Sequence, residues 1–491
     1  MSVVRGLPEE LKMNAVSSPP SVESYSVKVV PQNITKITSN TMTIAGSDAS
    51  FNVKEISVPS TQVIFDIPTT SSRNTWIDTA KSTLSFRVKY VNTAGATPWG
   101  ANELQARLRS NAYSFFNRIF IQNNLGETID DVPLTQLAHH HHLSFNQDAA
   151  ETDSVALAYG SAYEDASSNS VNSNTGHFID AYQNGASKTS YYSYSFPLPS
   201  SLLGKYAKGM CPIGKVSKLT LTLQVDTTAP ITVRIATMAA VASSSTLSFE
   251  IDNISLDMQY VDLGEEGARL LGGGDMALVH GITHRISQST VSAGAKGGLS
   301  VLMGIRGSSV RSLAVRCQDG ASTGVNAPSC NGLLDSKLIH ANSALFYLGS
   351  KDRVPQNGIN FVSAPAQGFI RAIHAAEAFN DKEMKYSSTP QEYLKYCATS
   401  DTVSSTTEYD QRIITAGSNT LPAWLANWTF AMGLQKFSKS RLLDGYDMSR
   451  NGNHFFEANL VSANTNSLQL FFIAELDIIY VFENGTVSVR V

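Results

Sequence analysis

The sequence predicts an all-β protein built from two similar β-sandwiches in tandem, and three observations carry that prediction. Short runs of alternating apolar and polar residues recur along the chain, helical periodicity is scarce, and a segment near the middle returns at the C-terminus. A period of two puts every second side chain on one face of a strand, which is how a half-buried sheet reads in sequence. At 491 residues the chain exceeds one ordinary core and suits two domains of about 200 residues each, with extra segments.

The elements follow in order. Residues 1–53 are polar, contain Pro19, Pro20 and Pro31, and read as an extended N-terminal arm. The first sandwich is expected over 54–264. Leu84, Phe86, Val88 and Tyr90 alternate in STLSFRVKY, and Leu219, Leu221, Leu223 and Val225 do the same in KLTLTLQVD. Ile231, Val233 and Ile235 follow Pro230 and suggest a hairpin with that run. Further strands are expected at Phe115–Gln122 and Tyr191–Leu198, and a short helix after Asn102 with Leu104 and Leu108 on one face. Residues 144–190 hold little sustained periodicity and read as a long polar loop, a length that is usually functional or disordered.

The second sandwich is expected over 265–491, with strands at Leu299–Ile305, Leu313–Cys317, Ile359–Val362, Trp428–Leu434 and Leu468–Val481. Short helices are expected at Ser336–Leu348, Pro390–Cys397 and Pro422–Asn427, as insertions between strands. The repeat joins the two halves. Leu256-Asp257-Met258-Gln259-Tyr260-Val261 returns 220 residues later as Leu476-Asp477-Ile478-Ile479-Tyr480-Val481. Each copy follows an alternating apolar run and ends in a turn, LGEEG or FENG, as a duplicated β domain would give. Gly272-Gly273-Gly274 then reads as the link between the domains.

Composition narrows function. Charged residues make up 16% of the chain against an average of about 25%, with Ser, Thr, Asn, Gln and Gly in their place. A polar but weakly charged surface suits a protein packed against many neighbours. The net charge of -4 and the scattered lysines of the first 60 residues give no basic tail, so no direct sequence-specific nucleic-acid binding is expected. Cys211, Cys317, Cys330 and Cys397 form no disulfide framework and read as reduced, mostly buried thiols. A Cys317–Cys330 link stays open. Residues 1–20 do not read as a signal peptide, and Leu468–Phe482, interrupted by Glu475 and Asp477, is too short to span a bilayer.

No catalytic constellation is found, and no catalytic, cofactor-binding or metal-binding residue is assigned. The Gly272–Gly274 run lacks the Lys-Ser/Thr ending of a phosphate loop, and no nucleophile elbow, zinc-protease helix or paired CxxC is present. His139-His140-His141-His142 is the one dense cluster of ligand-type side chains. Adjacent histidines point in different directions, and no carboxylate or cysteine lies at ligand spacing, so a polar loop or subunit contact is favoured over a metal site. A pH-sensitive contact is the third reading. Sequons at Asn33, Asn253, Asn427 and Asn484 read as ordinary asparagines. Asp130-Asp131 and Glu265-Glu266 read as solvated turn acids, and Phe115-Phe116 and Phe455-Phe456 as packing.

Several passages resemble the double jelly-roll major capsid proteins, most closely those of polinton-like viruses and virophages, with more distant kin in large eukaryotic DNA viruses and tailless membrane-containing phages. Val63–Tyr90 resembles the family's opening strands, with a Trp and an Asp before a Leu-x-Phe-x-Val strand. Asn111–Val132 resembles the next, a strand followed by Asn/Gly and a Glu-x-Ile turn. Phe196–Val225 resembles the most distinctive passage, where FPLPSSLLG leads through a Pro into a strand of alternating leucines. Ser308–Asp319, Leu434–Gly452 and the closing LQLFFIAELDIIYVFENG resemble the second half.

The resemblance implies two tandem eight-stranded antiparallel jelly rolls, with short helices in the connecting loops, and no enzymatic activity. It implies a homotrimer with pseudo-hexameric outline that tiles the icosahedral shell of a tailless DNA virus, and so a place in the virion. The implied partners are the chain itself and penton and minor or cement proteins, and the presence of an internal membrane beneath the shell stays open. Residues 144–190 become a candidate outward tower, and the arm a segment that orders between capsomers. The alternatives are a viral spike, fibre or lectin-like module of two β-sandwiches, or a carbohydrate-active enzyme. The latter needs a groove of exposed aromatics and paired carboxylates, which Trp76, Trp99, Trp424 and Trp428 do not form.

Overall fold

The structure, a computed structural model, describes residues 22–44, 56–70, 72–94, 112–135, 188–227, 245–264, 276–319, 341–349, 352–359, 430–435, 445–449, 452–461 and 467–490. It adds the short stretches 104–108, 161–162, 175–176 and 231–235 and the positions 138 and 158. Sixteen strands form its frame. The first eight are β1 (Glu23–Val29), β2 (Gln62–Ile67), β3 (Thr75–Ala94), β4 (Phe116–Asn123), β5 (Thr128–Pro133), β6 (Lys188–Pro197), β7 (Leu219–Val225) and β8 (Ser245–Asp262). The second eight are β9 (Ala277–Val291), β10 (Gly297–Leu302), β11 (Val310–Asp319), β12 (Ala341–Leu348), β13 (Asp352–Ile359), β14 (Phe430–Gly433), β15 (Phe455–Leu460) and β16 (Leu468–Glu483).

Their pairing gives the fold directly. In the first half the sheets run β1-β8-β3-β6 and β2-β7-β4-β5; in the second, β9-β16-β11-β14 and β10-β15-β12-β13. Every pair within them is antiparallel. Eight strands split between two facing sheets in this order make a jelly roll, and the second half repeats the order of the first. The expected tandem jelly rolls are therefore present.

Alternation builds each core. In β2, Val63, Phe65 and Ile67 turn inward against Leu219, Leu221 and Leu223 of β7, which pair with them residue for residue. From the opposite sheet, Phe86 of β3 meets Phe115, Phe116 and Phe196 at ring-centroid distances of 5.6–5.7 Å, all edge-on, the arrangement that the ring quadrupole favours. The second core centres on Phe346, Phe430, Phe456 and Phe472. Both copies of the repeat lie in the last strand of a roll. Leu256 faces Leu84 of β3 and Leu476 faces Val310 of β11, so the two copies hold equivalent places.

The register also fixes which end is which. Glu23 pairs with Asp262 and Ala277 with Phe482, so the chain enters and leaves each roll at the same end. The connections β3–β4, β5–β6 and β7–β8 of the first roll, and β11–β12 and β13–β14 of the second, all open at the opposite end.

Several expectations are corrected. Residues 23–44 are not an arm: β1, Lys36–Thr38 and Met42–Ile44 all pair along β8, and Val29 and Ile37 are buried. Most of β1 is exposed, so the run shows no apolar period. Leu104–Leu108 is a strand paired with Ile231–Ile235 rather than a helix, and that pairing replaces the expected hairpin between 231–235 and 219–225. A leucine at every fourth residue fits a period of two as well as a helical turn, and the cross-strand partner decides. The expected helix 336–348 is overturned over Ala341–Leu348, which forms β12 between β13 and β15 with Ala344, Phe346 and Leu348 turned inward. The expected strand Ile359–Val362 is the end of β13, and 360–362 lie outside the described residues. So do the helices expected at 390–397 and 422–427, the glycine run 272–274, Glu265-Glu266, Cys330, Cys397, His139–His142 and nearly all of 144–187.

Candidate functional site

The most concentrated chemistry among the described residues is the buried polar seam where the two rolls meet. It begins at Asp130 on β5, only 3% exposed. Its carboxylate accepts hydrogen bonds from Ser200 Oγ (2.7 Å), the Ser201 amide (3.0 Å) and Ser201 Oγ (2.7 Å). Ser201 Oγ is also 2.5 Å from the Tyr480 hydroxyl of β16, which brings the second roll onto the first. A buried carboxylate is tolerated only with such partners. Burial first, and the nearby Asp130 charge second, push the Tyr480 hydroxyl well above its ordinary range and keep it neutral.

Backbone continues the seam. Residues 206–208, in the connection after β6, run along the outer edge of β9: Lys208 N donates to His280 O and Ile282 N to Tyr206 O. They cover an edge strand that would otherwise be open to pairing. Gly281 lies in this contact because a Cβ there would stand 2.3 Å from Ser201 O. Past β16, Asn484 and Gly485 take positive φ values of 54° and 78° and turn the chain into Thr486–Arg490, which pairs back on β16. Asn-Gly is the pair that a two-residue hairpin of this hand requires. Ser217 N donates to Gly485 O and Asn123 Nδ2 to Val487 O, so this hairpin too is bonded to the first roll.

A second hub sits on β16 beside the seam. Asp477 accepts from Ser309 Oγ (2.7 Å) and Arg311 Nη1 (2.9 Å), and His280 Nε2 lies 2.9 Å from it. Burial opposes its ionisation, but the hydrogen bond from His280, the Arg311 charge and the bond from Ser309 outweigh burial and hold the carboxyl below its usual value. Two residues earlier, Glu475 Oε1 is 3.1 Å from His284 Nε2, and the Tyr206 ring of the first roll packs edge-on against His284 at 4.8 Å.

The repeat has diverged at this point. Tyr260 and Asp257 occupy the places of Tyr480 and Asp477, yet Tyr260 donates to Pro68 O inside its own roll and the Asp257 carboxylate accepts from Ser85 Oγ at 3.3 Å. The outer faces of the first roll carry charged pairs instead, with Arg87 bidentate to Asp252 (2.8 and 2.6 Å) and Lys36 on Glu250 on one sheet, and Arg118 on Asp131 on the other.

These positions revise the sequence reading. Asp130, read as a solvated turn acid, is a buried hub on a strand, whereas Asp131 beside it does face outward, to Arg118. Phe115, Phe116 and Phe456 are packing residues, Cys211 is a buried free thiol, and Cys317 is buried in the second core. Three sequon asparagines have structural work: Asn33 bridges Gln62 O and Ile64 N of β2, while Asn253, at a bulge, and Asn484 hold positive φ. Among the described residues no cluster of His, Cys, Asp and Glu could hold a metal ion, and no helix is long and apolar enough to cross a membrane. Ser200, Ser201, Tyr206 and Gly281 were not singled out in sequence. The Ser-Ser-Leu-Leu-Gly passage was, for its resemblance alone.

No protein-family model and no curated protein matches the chain in sequence. In shape the chain is similar to PBCV-1 VP54 as fitted into a reconstruction of the virophage Sputnik, at 10% identity and a TM-score of 0.49, over 97% of this chain and 98% of that one. It is also similar to a chain of the Sputnik virophage structure, at 12% identity and a TM-score of 0.46 over 100% and 93% of the two chains. The mavirus major capsid protein is a third, at 11% identity and a TM-score of 0.40 over 94% and 90%.

Proposed function

We propose that this chain is the major capsid protein of a tailless icosahedral DNA virus, a structural protein of the virion rather than an enzyme. The observation that carries the reading is the repeated strand order, β1-β8-β3-β6 with β2-β7-β4-β5 and its copy in β9–β16, joined by a bonded seam. One chain then presents two similar lobes in a fixed relation. Three such chains around a threefold axis present six similar lobes, and a closed ring of that outline tiles a hexagonal lattice. The low charge content and the resemblance of the Phe196–Val225 passage support the same reading. So does the end at which the first roll's long connections leave, opposite the one where the chain enters, which suits residues 144–190 to an outward projection. The partners in this reading are copies of the chain itself and penton and minor or cement proteins.

Light scattering on the purified full chain, with negative-stain images of the same peak, tests it. The expected result is a particle of three times 52.9 kDa with a hexagonal end-on outline. A monomer that binds glycans in a sugar screen would replace the reading with a spike or lectin-like module.

A further inference from the structure

The two rolls do not contribute equally to each other. The second core is made wholly of residues from Val291 to Leu476. The first core, in contrast, takes in Ala277 and Val279 of β9, Ile478, Tyr480 and Phe482 of β16, and Val487 of the closing hairpin. One face of β16 therefore serves both cores: Leu470, Phe472, Ala474 and Leu476 enter the second, and Ile478, Tyr480 and Phe482, at the same parity, continue into the first. Tyr480 and Phe482 are fully buried there. Polar bonds reinforce the insertion at Ser201, Ser217 and Asn123, all first-roll residues.

From this one-way sharing we propose that the first roll, though made first, is closed only by residues 478–490, which follow the second core. They act as a plug on which a native first roll depends. Without them, side chains such as Leu219 and Ile121 would belong to a core lacking four large apolar members, which a small sandwich tolerates poorly. The second roll has no such dependence on the first. The consequence is an order of folding: a chain cut before residue 478 carries an open first roll and an unpaired β9 edge, and is not fit to assemble. This inference stands on the cores alone and holds whether or not the chain forms a shell.

Hydrogen exchange by mass spectrometry on the full chain and its variants tests it. In Phe482→Ala, peptides covering Phe116–Asn123 and Leu219–Val225 should exchange about a hundredfold faster than in the parent. In Leu221→Ala, peptides covering Ala341–Leu348 and Phe455–Leu460 should keep parental rates. If Phe482→Ala does not fold, Tyr480→Phe removes one hydroxyl only and should still speed exchange in Thr128–Pro133 about tenfold. A chain ending at Asp477 should show no slow exchange in the first roll. First-roll peptides at parental rates in Tyr480→Phe, or in the chain ending at Asp477, would overturn the proposal, as would loss of second-roll protection in Leu221→Ala.

Discussion

Asp130 and Asp477 are both carboxylates withdrawn from water, but they are held by different chemistry. Asp130 rests on hydroxyls and an amide, Asp477 on a guanidinium, an imidazole and a hydroxyl. Replacing Asp477 with Asn takes the carboxylate charge from beside the buried Arg311 and should cost about 3–5 kcal/mol in chemical denaturation. Asp130→Ala leaves two hydroxyls and an amide short of an acceptor, at about 1–3 kcal/mol for each group not rescued by water. The Asp477 carboxyl is held below its unfolded value, so its stabilisation is complete above about pH 4 and is lost as pH falls through the lower folded value. Stability measured from pH 6 down to pH 2 should therefore fall more steeply in the parent than in Asp477→Asn. Parallel profiles would contradict that role. None of this was legible in the sequence: LDMQY and LDIIY look alike, and only the partner strand tells a buried hub from a weakly bonded acid.

Strands are where sequence spoke most clearly. Runs such as Leu84-Ser-Phe-Arg-Val-Lys-Tyr bury every second residue and leave those between partly exposed, so composition mirrors burial residue by residue. Legibility failed where that symmetry fails. The strand β1 lies at an edge with both faces largely in water, and Leu104–Leu108 matches two periods at once. The first failure has a measurable consequence. Deleting residues 1–21 should leave the melting temperature unchanged, while deleting 1–44 strips β8 of its outer partner and removes Val29 and Ile37 from the core. Chains lacking 1–44 should be recovered insoluble or unfolded by circular dichroism. The Asn484-Gly485 turn gives a finer test. Gly485→Ala puts a Cβ 2.6 Å from Ser217 Oγ at a φ that penalises it, and should cost about 1–2 kcal/mol. Asn484→Gly, which has no Cβ to strain, should stay within about 0.5 kcal/mol of the parent in the same denaturation assay.

At the scale of the molecule, the duplication visible in six residues proved to organise sixteen strands, because the last strand of each roll is central to its sheet and tolerates little change. The seam was not visible, since it arose where the copies diverged. The first roll borrows core from the second and lends none, so the second should outlast it on heating. Calorimetry of the full protein should give a van't Hoff enthalpy below the calorimetric one, with the second roll melting last, and a single two-state transition would show the second roll to depend on the first. The end of each roll at which its long connections emerge has a different consequence, for tolerance to insertion. The end carrying Glu23, Asp262, Ala277 and Phe482 is held by the seam, so an extra residue there shifts a bonded register. Between Ala94 and Phe116, or between Val225 and Ser245, the chain leaves and rejoins the frame far from that seam. Length can drift on that side over generations, while the frame beneath keeps its register and the two rolls keep their relation.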